Sequence, residues 1–177
     1  MIFRNNHSST LLSNIETILG RMVGGPGSRC LGILGAGQID VRGNVNSTKI
    51  PGVTYLVGSG GANDVAATSR ESIVVTSAGK DRLLPQVPYV TFPGDNVSTL
   101  ITDVGVFEKT DGKPTFTLTH YLPASDHAGE SDCLAAIRKK VGWDLDVAPD
   151  LKRLGLPSQD ELTRLRLFDP RRFFISD

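Results

Sequence analysis

At 177 residues the chain is long enough for one domain with its own core and too short for two ordinary ones. Its 19 Lys+Arg balance 19 Asp+Glu, so no global field draws it to nucleic acid or an anionic membrane, and the expected partner is a small molecule or another protein. Cys30 and Cys133 stand far apart without His or Cys neighbours at ligand spacing, which argues against a disulfide framework or a zinc site and fits a reducing cytoplasm.

Residues 1–7 hold no signal-peptide core, and no run approaches the roughly 18 apolar residues of a membrane span. Asn-x-Ser/Thr triplets at Asn6, Asn46 and Asn96 are chance matches in a chain that is not secreted. Residues 9–22 place Leu11, Leu12, Ile15, Ile18, Leu19 and Met22 at spacings of three and four behind Ser9 or Thr10, the pattern of an amphipathic helix with a hydroxyl N-cap. Gly24-Gly25-Pro26-Gly27 stops it. Cys30-Leu31-Gly32-Ile33-Leu34 reads as a buried strand that runs into a polar loop at 35–40.

After the turn-rich stretch 41–48, Val53-Thr54-Tyr55-Leu56-Val57 is a β-type run, and a helix begins at Val65. Ser72-Ile73-Val74-Val75-Thr76 is continuous and β-branched, the clearest buried strand in the chain. Strand, helix and strand over 53–76 predict a parallel crossover and an α/β core. Residues 98–108 and 116–121 alternate on either side of Asp111-Gly112, a hairpin added antiparallel to the sheet. The pattern predicts a helix over 131–141 ending at Gly142, a short strand over 143–147, and a helix over 157–168 capped near Ser158. No repeat or low-complexity tract divides the chain, so one domain over 1–177 is expected.

Between the run at 53–57 and the following helix lies Gly58-Ser59-Gly60-Gly61-Ala62-Asn63-Asp64. Three glycines in four residues turn the backbone sharply and leave N–H groups unshielded, a cradle for a phosphate or for the oxyanion of an attacked carbonyl. The spacing is neither the dinucleotide fingerprint nor the phosphate loop. Taken alone, it is also consistent with a tight strand-to-helix turn that holds nothing.

Separated stretches then agree in order. Gly35-Ala36-Gly37-Gln38-Ile39-Asp40, Gly43-Asn44-Val45-Asn46-Ser47-Thr48, the glycine loop, and Tyr89-Val90-Thr91-Phe92-Pro93-Gly94 resemble the β (B) subunit of class I CoA-transferases, above all the glutaconate CoA-transferase branch. Thr102-Asp103-Val104-Gly105-Val106-Phe107, Gly142-Trp143-Asp144-Leu145-Asp146-Val147, and Leu156-Pro157 through Glu161-Leu162 to Asp169-Pro170 continue the order, so the resemblance runs over 29–177.

That resemblance implies a three-layer α/β fold with a mostly parallel open sheet, here with an antiparallel hairpin addition. It implies a homologous α subunit as partner in a hetero-oligomer, and an acyl-CoA and a carboxylic acid as substrates. Coenzyme A enters as the substrate thioester, with no other cofactor and no metal. In the family a glutamate carboxylate attacks the thioester, passes through an acyl-glutamyl anhydride and becomes a glutamyl-CoA thioester that hands CoA to the acceptor acid. The positions matching the oxyanion loop are Gly60, Gly61 and Ala62; Gln38, Asn46 and Asn63 are the candidates for polar contacts to the substrate.

The family's glutamate lies in a segment ahead of the G-x-Q-I-D stretch, and the 177 residues start after that point. The five glutamates present, Glu16, Glu71, Glu108, Glu130 and Glu161, each have a plainer place on a helix face, a strand end, a hairpin or a cap, so no nucleophile is assigned. Three readings stay open: CoA transfer with a nucleophile from another chain or segment, a hydrolase or decarboxylase of CoA thioesters, and a non-catalytic interface subunit. The isolated chain is expected to be marginal or oligomeric, with an open sheet edge and a bare apolar face.

Other chemistry-bearing residues have bland readings. His120 and His127, even with Asp126 or Asp132 nearby, read as solvated histidines without a nucleophile to serve. Cys30 and Cys133 read as core. Arg164, Arg166, Arg171 and Arg172 read as a solvated or subunit-facing basic end before they read as a CoA phosphate site.

Overall fold

The computed structural model describes residues 12–110, 112–123, 125 and 127–172. In chain order a first helix (Glu16–Val23) leads to β1 (Leu31–Gly35), β2 (Gln38–Asp40), β3 (Val45–Asn46), β4 (Lys49–Ile50), β5 (Thr54–Tyr55), α1 (Ala62–Thr68), β6 (Glu71–Val75) and β7 (Leu83–Leu84). There follow β8 (Val97–Ile101), β9 (Gly105–Glu108), β10 (Thr117–Tyr121), α2 (Glu130–Lys140), β11 (Val147–Arg153) and α3 (Gln159–Phe168).

The main sheet has the order β1-β6-β8-β9-β10-β11. The pairs β1/β6, β6/β8 and β10/β11 are parallel, and β8/β9 and β9/β10 antiparallel, so the expected mixed α/β class holds. A small sheet β3-β2-β7 and a hairpin β4-β5 stand beside it. Ile39, Val45, Leu83 and Phe92 from around the small sheet join Val74, Leu100, Phe107 and Leu118 of the main sheet and Ile137 of α2 in one buried cluster.

Several expectations need correction. The parallel crossover joins β1, not the run at 53–57, to β6. Only Thr54 and Tyr55 of that run are extended, and they pair back antiparallel on Lys49 and Ile50, with Val53, Tyr55 and Val57 exposed. Its β-branched composition marks an extended arm, and composition alone does not say which faces are buried. The polar stretch 35–40 is not a loop throughout: β2 is buried at all three residues. The run 98–108 is two strands, because Thr102 Oγ1 accepts the N–H groups of Val104 and Gly105 and reverses the chain.

The β9–β10 hairpin is present; Asp111 lies outside the described residues, as do Asp126 and the Ser9, Thr10 and Leu11 start expected for the first helix. That helix is shorter than expected: residues 12–14 are not helical, Asn14 Oδ1 accepts Thr17 N–H just ahead of it, and Leu12, Ile15 and Met22 of the expected apolar stripe are exposed. The last strand starts at Val147, where the expected one ends, and runs on through Pro149, Asp150 and Lys152. Charges and proline suit an edge strand with one open side. The helices over 131–141 and 157–168 are confirmed as α2 and α3 to within two residues, and Ser158 and Glu161 form a reciprocal capping box. Cys133 is buried as expected, whereas Cys30 is only half-buried, just ahead of β1. Among the described residues no helix is long and apolar enough to cross a membrane, and no group of acidic, His or Cys side chains has a metal-holding arrangement.

The core lies against one face of the sheet. At the β1/β6 end, α1 packs over Gly32, where a Cβ would stand 3.0 Å from Val65 Cγ1 and 2.9 Å from Ser72 Oγ. On the other face Leu31, Ile33 and Val75 are 49, 68 and 44% exposed; in the β1/β6 register Val75 lies opposite Gly35, two residues on from Ile33. Parallel strands are normally covered on both faces, and no described residue covers this one.

Candidate functional site

The glycine loop connects β5 to α1. Gly60 has φ +53°, a left-handed conformation that a side chain at this position would oppose. Gly61 is the N-cap of α1 and its carbonyl accepts from Val65 N–H at 3.0 Å. The N–H groups of Gly60 and Gly61 donate to no protein acceptor among the described residues, and both residues are exposed. Ala62 differs: its N–H closes the turn onto Ser59 O at 3.1 Å. Two of the three amides singled out from the sequence are therefore open to a ligand. Asn63 is half-buried, and its Oδ1 is enclosed with no partner among the described residues.

Gln38 and Asn46 are brought together, but inward. They face each other across the β2/β3 pair, and Asn46 is fully buried. Asn46 Nδ2 donates to Gln38 Oε1 and to Lys49 O, both at 2.8 Å, while Asn46 Oδ1 accepts from Thr48 N at 3.1 Å and Lys49 N at 3.2 Å. Gln38 Nε2 donates to Asp81 O at 3.0 Å. Every polar atom of the Asn46 side chain is thus committed to the protein.

Sequence reading misses the residues that tie this pair to the loop. Thr91 Oγ1 accepts Ser47 N–H at 2.9 Å and lies 2.9 Å from Thr48 Oγ1. The carbonyls of Ser47 and Thr48 in turn accept Val57 N–H at 3.1 Å and Leu56 N–H at 2.7 Å. The amide-rich stretch 44–48 and Thr91 each fall within a motif, but nothing local shows that they clamp the strand leading into residues 58–61. Asp40, buried among them, accepts from Arg42 N, Asn44 N and Asn44 Nδ2 at 3.0 Å each and shapes the intervening turn.

The remaining candidates lie elsewhere. His120 is on β10, toward the opposite edge of the sheet from β1. Its Nδ1 is 3.9 Å from Glu108 Oε2, and Thr119 Oγ1 bridges the two. These groups line an open cleft of about 320 Å³ with Asp146 and Lys152. Asp146 is held below the usual carboxylate range by hydrogen bonds from Lys113 and Thr117. Glu71 accepts from Ser98 Oγ, Glu130 opens α2 and Glu161 closes its capping box. Glu16 is on the first helix in a shallow groove beside Asp64 and Thr68 of α1. His127 is exposed, and Arg164 pairs with Asp160 at 3.0 Å on the surface of α3.

No protein-family model matches the chain. The B subunit of glutaconate CoA-transferase from Acidaminococcus fermentans is 30% identical over 169 residues, 84% of this chain and 60% of that subunit. The crystal structure of that organism's glutaconate CoA-transferase matches with a TM-score of 0.69 at 29% identity, over 83% of this chain and 61% of its own. The chain is a homologue of CoA-transferase B subunits. A second such relative, the B subunit of 3-oxoadipate CoA-transferase from Pseudomonas knackmussii, is 26% identical over 161 residues, 80% of this chain and 59% of its own. The decarboxylase AibA/AibB shares the fold, with a TM-score of 0.76 at 22% identity over 94% of this chain and 67% of its own. This CoA-transferase B homologue spans about 60% of the length of the curated relatives it matches.

Proposed function

We propose that the chain is the B-type component of an enzyme that moves CoA between an acyl-CoA and a carboxylic acid, working in the cytoplasm as a hetero-oligomer with a homologous A-type subunit. One observation carries this reading: in a homologue of CoA-transferase B subunits, the glycine loop keeps two exposed N–H groups, on Gly60 and Gly61, without a protein acceptor among the described residues. Such donors stabilise the oxyanion that forms when a thioester carbonyl is attacked, and because they are fixed beforehand they need no reorganisation at the moment of reaction. Coenzyme A is the substrate thioester in this reading, and no other cofactor takes part.

In this reading the nucleophile comes from another chain or segment: Glu71, Glu108 and Glu161 are hydrogen-bonded to neighbouring side chains or backbone, Glu130 opens α2, and Glu16 lies on the first helix beside Asp64 and Thr68 without a bond to the Gly60 or Gly61 amides among the described residues. The companion subunit is proposed to cover Leu31, Ile33 and Val75, which supplies the missing layer over the β1/β6 face. The test is co-purification with an A-type subunit, followed by incubation of acyl-CoA with a free acid. Appearance of the new acyl-CoA supports transfer. Free CoA or carbon dioxide with no exchange points instead to the hydrolase or decarboxylase chemistry, and a complex that leaves the thioester intact marks a non-catalytic subunit.

A further inference from the structure

Asn46 and Gln38 turn their polar side chains to each other and to the backbone, and both amide hydrogens of Asn46 are taken, so Asn46 presents no free donor to a substrate. What their bonds do is fix a short path to the glycine loop. Asn46 Oδ1 gathers the N–H groups of Thr48 and Lys49, which sets the direction in which the chain leaves β3. From that point the arm β4–β5 runs out and returns. On its return Leu56 and Val57 bond back to Thr48 and Ser47, and the next residue is Gly58. The arm itself is exposed, so burial does little to locate the loop; these two backbone bonds do.

We infer that Asn46, anchored through Gln38 to Asp81 O, is a positioning residue that sets the glycine loop by fixing Ser47 and Thr48, and that it does not touch substrate. The positioning role follows from the hydrogen-bond path alone, while its meaning for catalysis rests on the function proposed above. A buried amide with all its bonds filled costs little and defines one geometry. Removing it leaves the Thr48 and Lys49 N–H groups, Gln38 Oε1 and Lys49 O without their partner, and the turn can relax.

The test combines backbone amide exchange by NMR on the full chain with kinetics on the assembled enzyme. Asn46→Ala should speed exchange at Leu56 and Val57 by about tenfold or more and shift the resonances of residues 58–62. Ile137→Val, a mild core truncation in α2, should do neither. Thr91→Val removes the hydroxyl that holds Ser47 and Thr48 and should move the same amides less far; it carries the test if Asn46→Ala does not fold. In the assembled enzyme, a displaced oxyanion loop lowers kcat and kcat/KM together, by about 10²-fold when a donor is lost, with KM within about twofold.

Loop resonances that overlay the wild type in both Asn46→Ala and Thr91→Val would overturn the inference. So would a raised KM with unchanged kcat, which is the signature of a direct substrate contact. Acetyl-CoA added to the wild-type assembly should perturb Gly60 and Gly61. If it does not, the acyl-CoA reading fails, and the exchange data still decide the positioning role.

Discussion

Replacing Ile33 by Lys separates a face that needs a partner from one that does not. Ile33 is 68% exposed in the chain, between Leu31 at 49% and Val75 at 44%. Full burial of an isoleucine is worth about 1.5–3 kcal/mol, so roughly two-thirds of that, on the order of 1–2 kcal/mol, is still available to a covering subunit. Losing it weakens association about 5- to 30-fold, and a lysine carried into an apolar contact adds a desolvation cost on top. In the isolated chain the same change lies on an open surface and should alter stability by no more than about 0.5 kcal/mol. Thermal melts of the isolated chain, with titration of an A-type subunit followed by calorimetry, give both numbers. An isolated-chain loss above about 2 kcal/mol would mean that the chain itself covers Ile33. Unchanged affinity for the companion would move the interface to another face.

Ser72 Oγ and Ser69 Oγ are buried beside Gly32 with no hydrogen-bond partner among the described residues. An unsatisfied buried hydroxyl costs about 1–3 kcal/mol, so Ser72→Ala should raise Tm by about 2–4 °C for each kcal/mol recovered in a chain of this size, and a lowered Tm would show that the hydroxyl is satisfied. Asp146 has a folded-state pKa below its ordinary 3.8. The stability it contributes is therefore present above the unfolded value and lost as pH falls through the folded one; melts of Asp146→Asn and wild type from about pH 6 down to about pH 2 should converge at the acid end. Ser158→Ala removes the capping box of α3, worth about 1 kcal/mol. Since α3 buries none of its residues, the loss should appear as faster exchange in its first turn, with little change in global Tm. Gly60→Val forces a side chain into φ +53°, at a cost of about 1–2 kcal/mol, and should abolish exchange activity in the assembled enzyme while the remainder of the spectrum stays in place.

Local patterns are enough wherever one residue's physics decides the element. Ser158 with Glu161 three residues on announces α3, and the β-branched run at 72–76 announces β6, an interior strand of the sheet. They fail where the partner decides. The run at 53–57 has strand composition, but it lies in an exposed arm because its pairing partner is Lys49–Ile50 and not the parallel sheet. β2 and β3 read as loop because Gln38, Asp40 and Asn46 are polar, yet all three are buried and take one another's backbone or side chains, or those of close neighbours, as partners. Strand 147–153 is hidden by Pro149 and its charges, which an edge position tolerates.

The site divides in the same way. Gly60 and Gly61 stand out in the chain because three glycines in four residues leave the backbone unshielded, although a bare turn would read the same, and in the structure their N–H groups meet no acceptor among the described residues. Gln38, Asn46 and Thr91 sit in three motifs separated by 8 and 45 residues, and the first two side chains, each on its own, suggest a ligand contact. Their meaning changes once Gln38 is seen to bond Asn46, and Asn46 and Thr91 to hold the same short stretch at 47–49, since the filled amide of a fully buried Asn46 has nothing left for a substrate. Two of the motifs that point to CoA-transferase B subunits are then joined to the glycine loop by one hydrogen-bond path, from Asp81 O through Gln38 and Asn46 to Ser47, Thr48 and the residues entering the loop. A substitution anywhere along that path should move the same two amides, in proportion to how many of its bonds are lost.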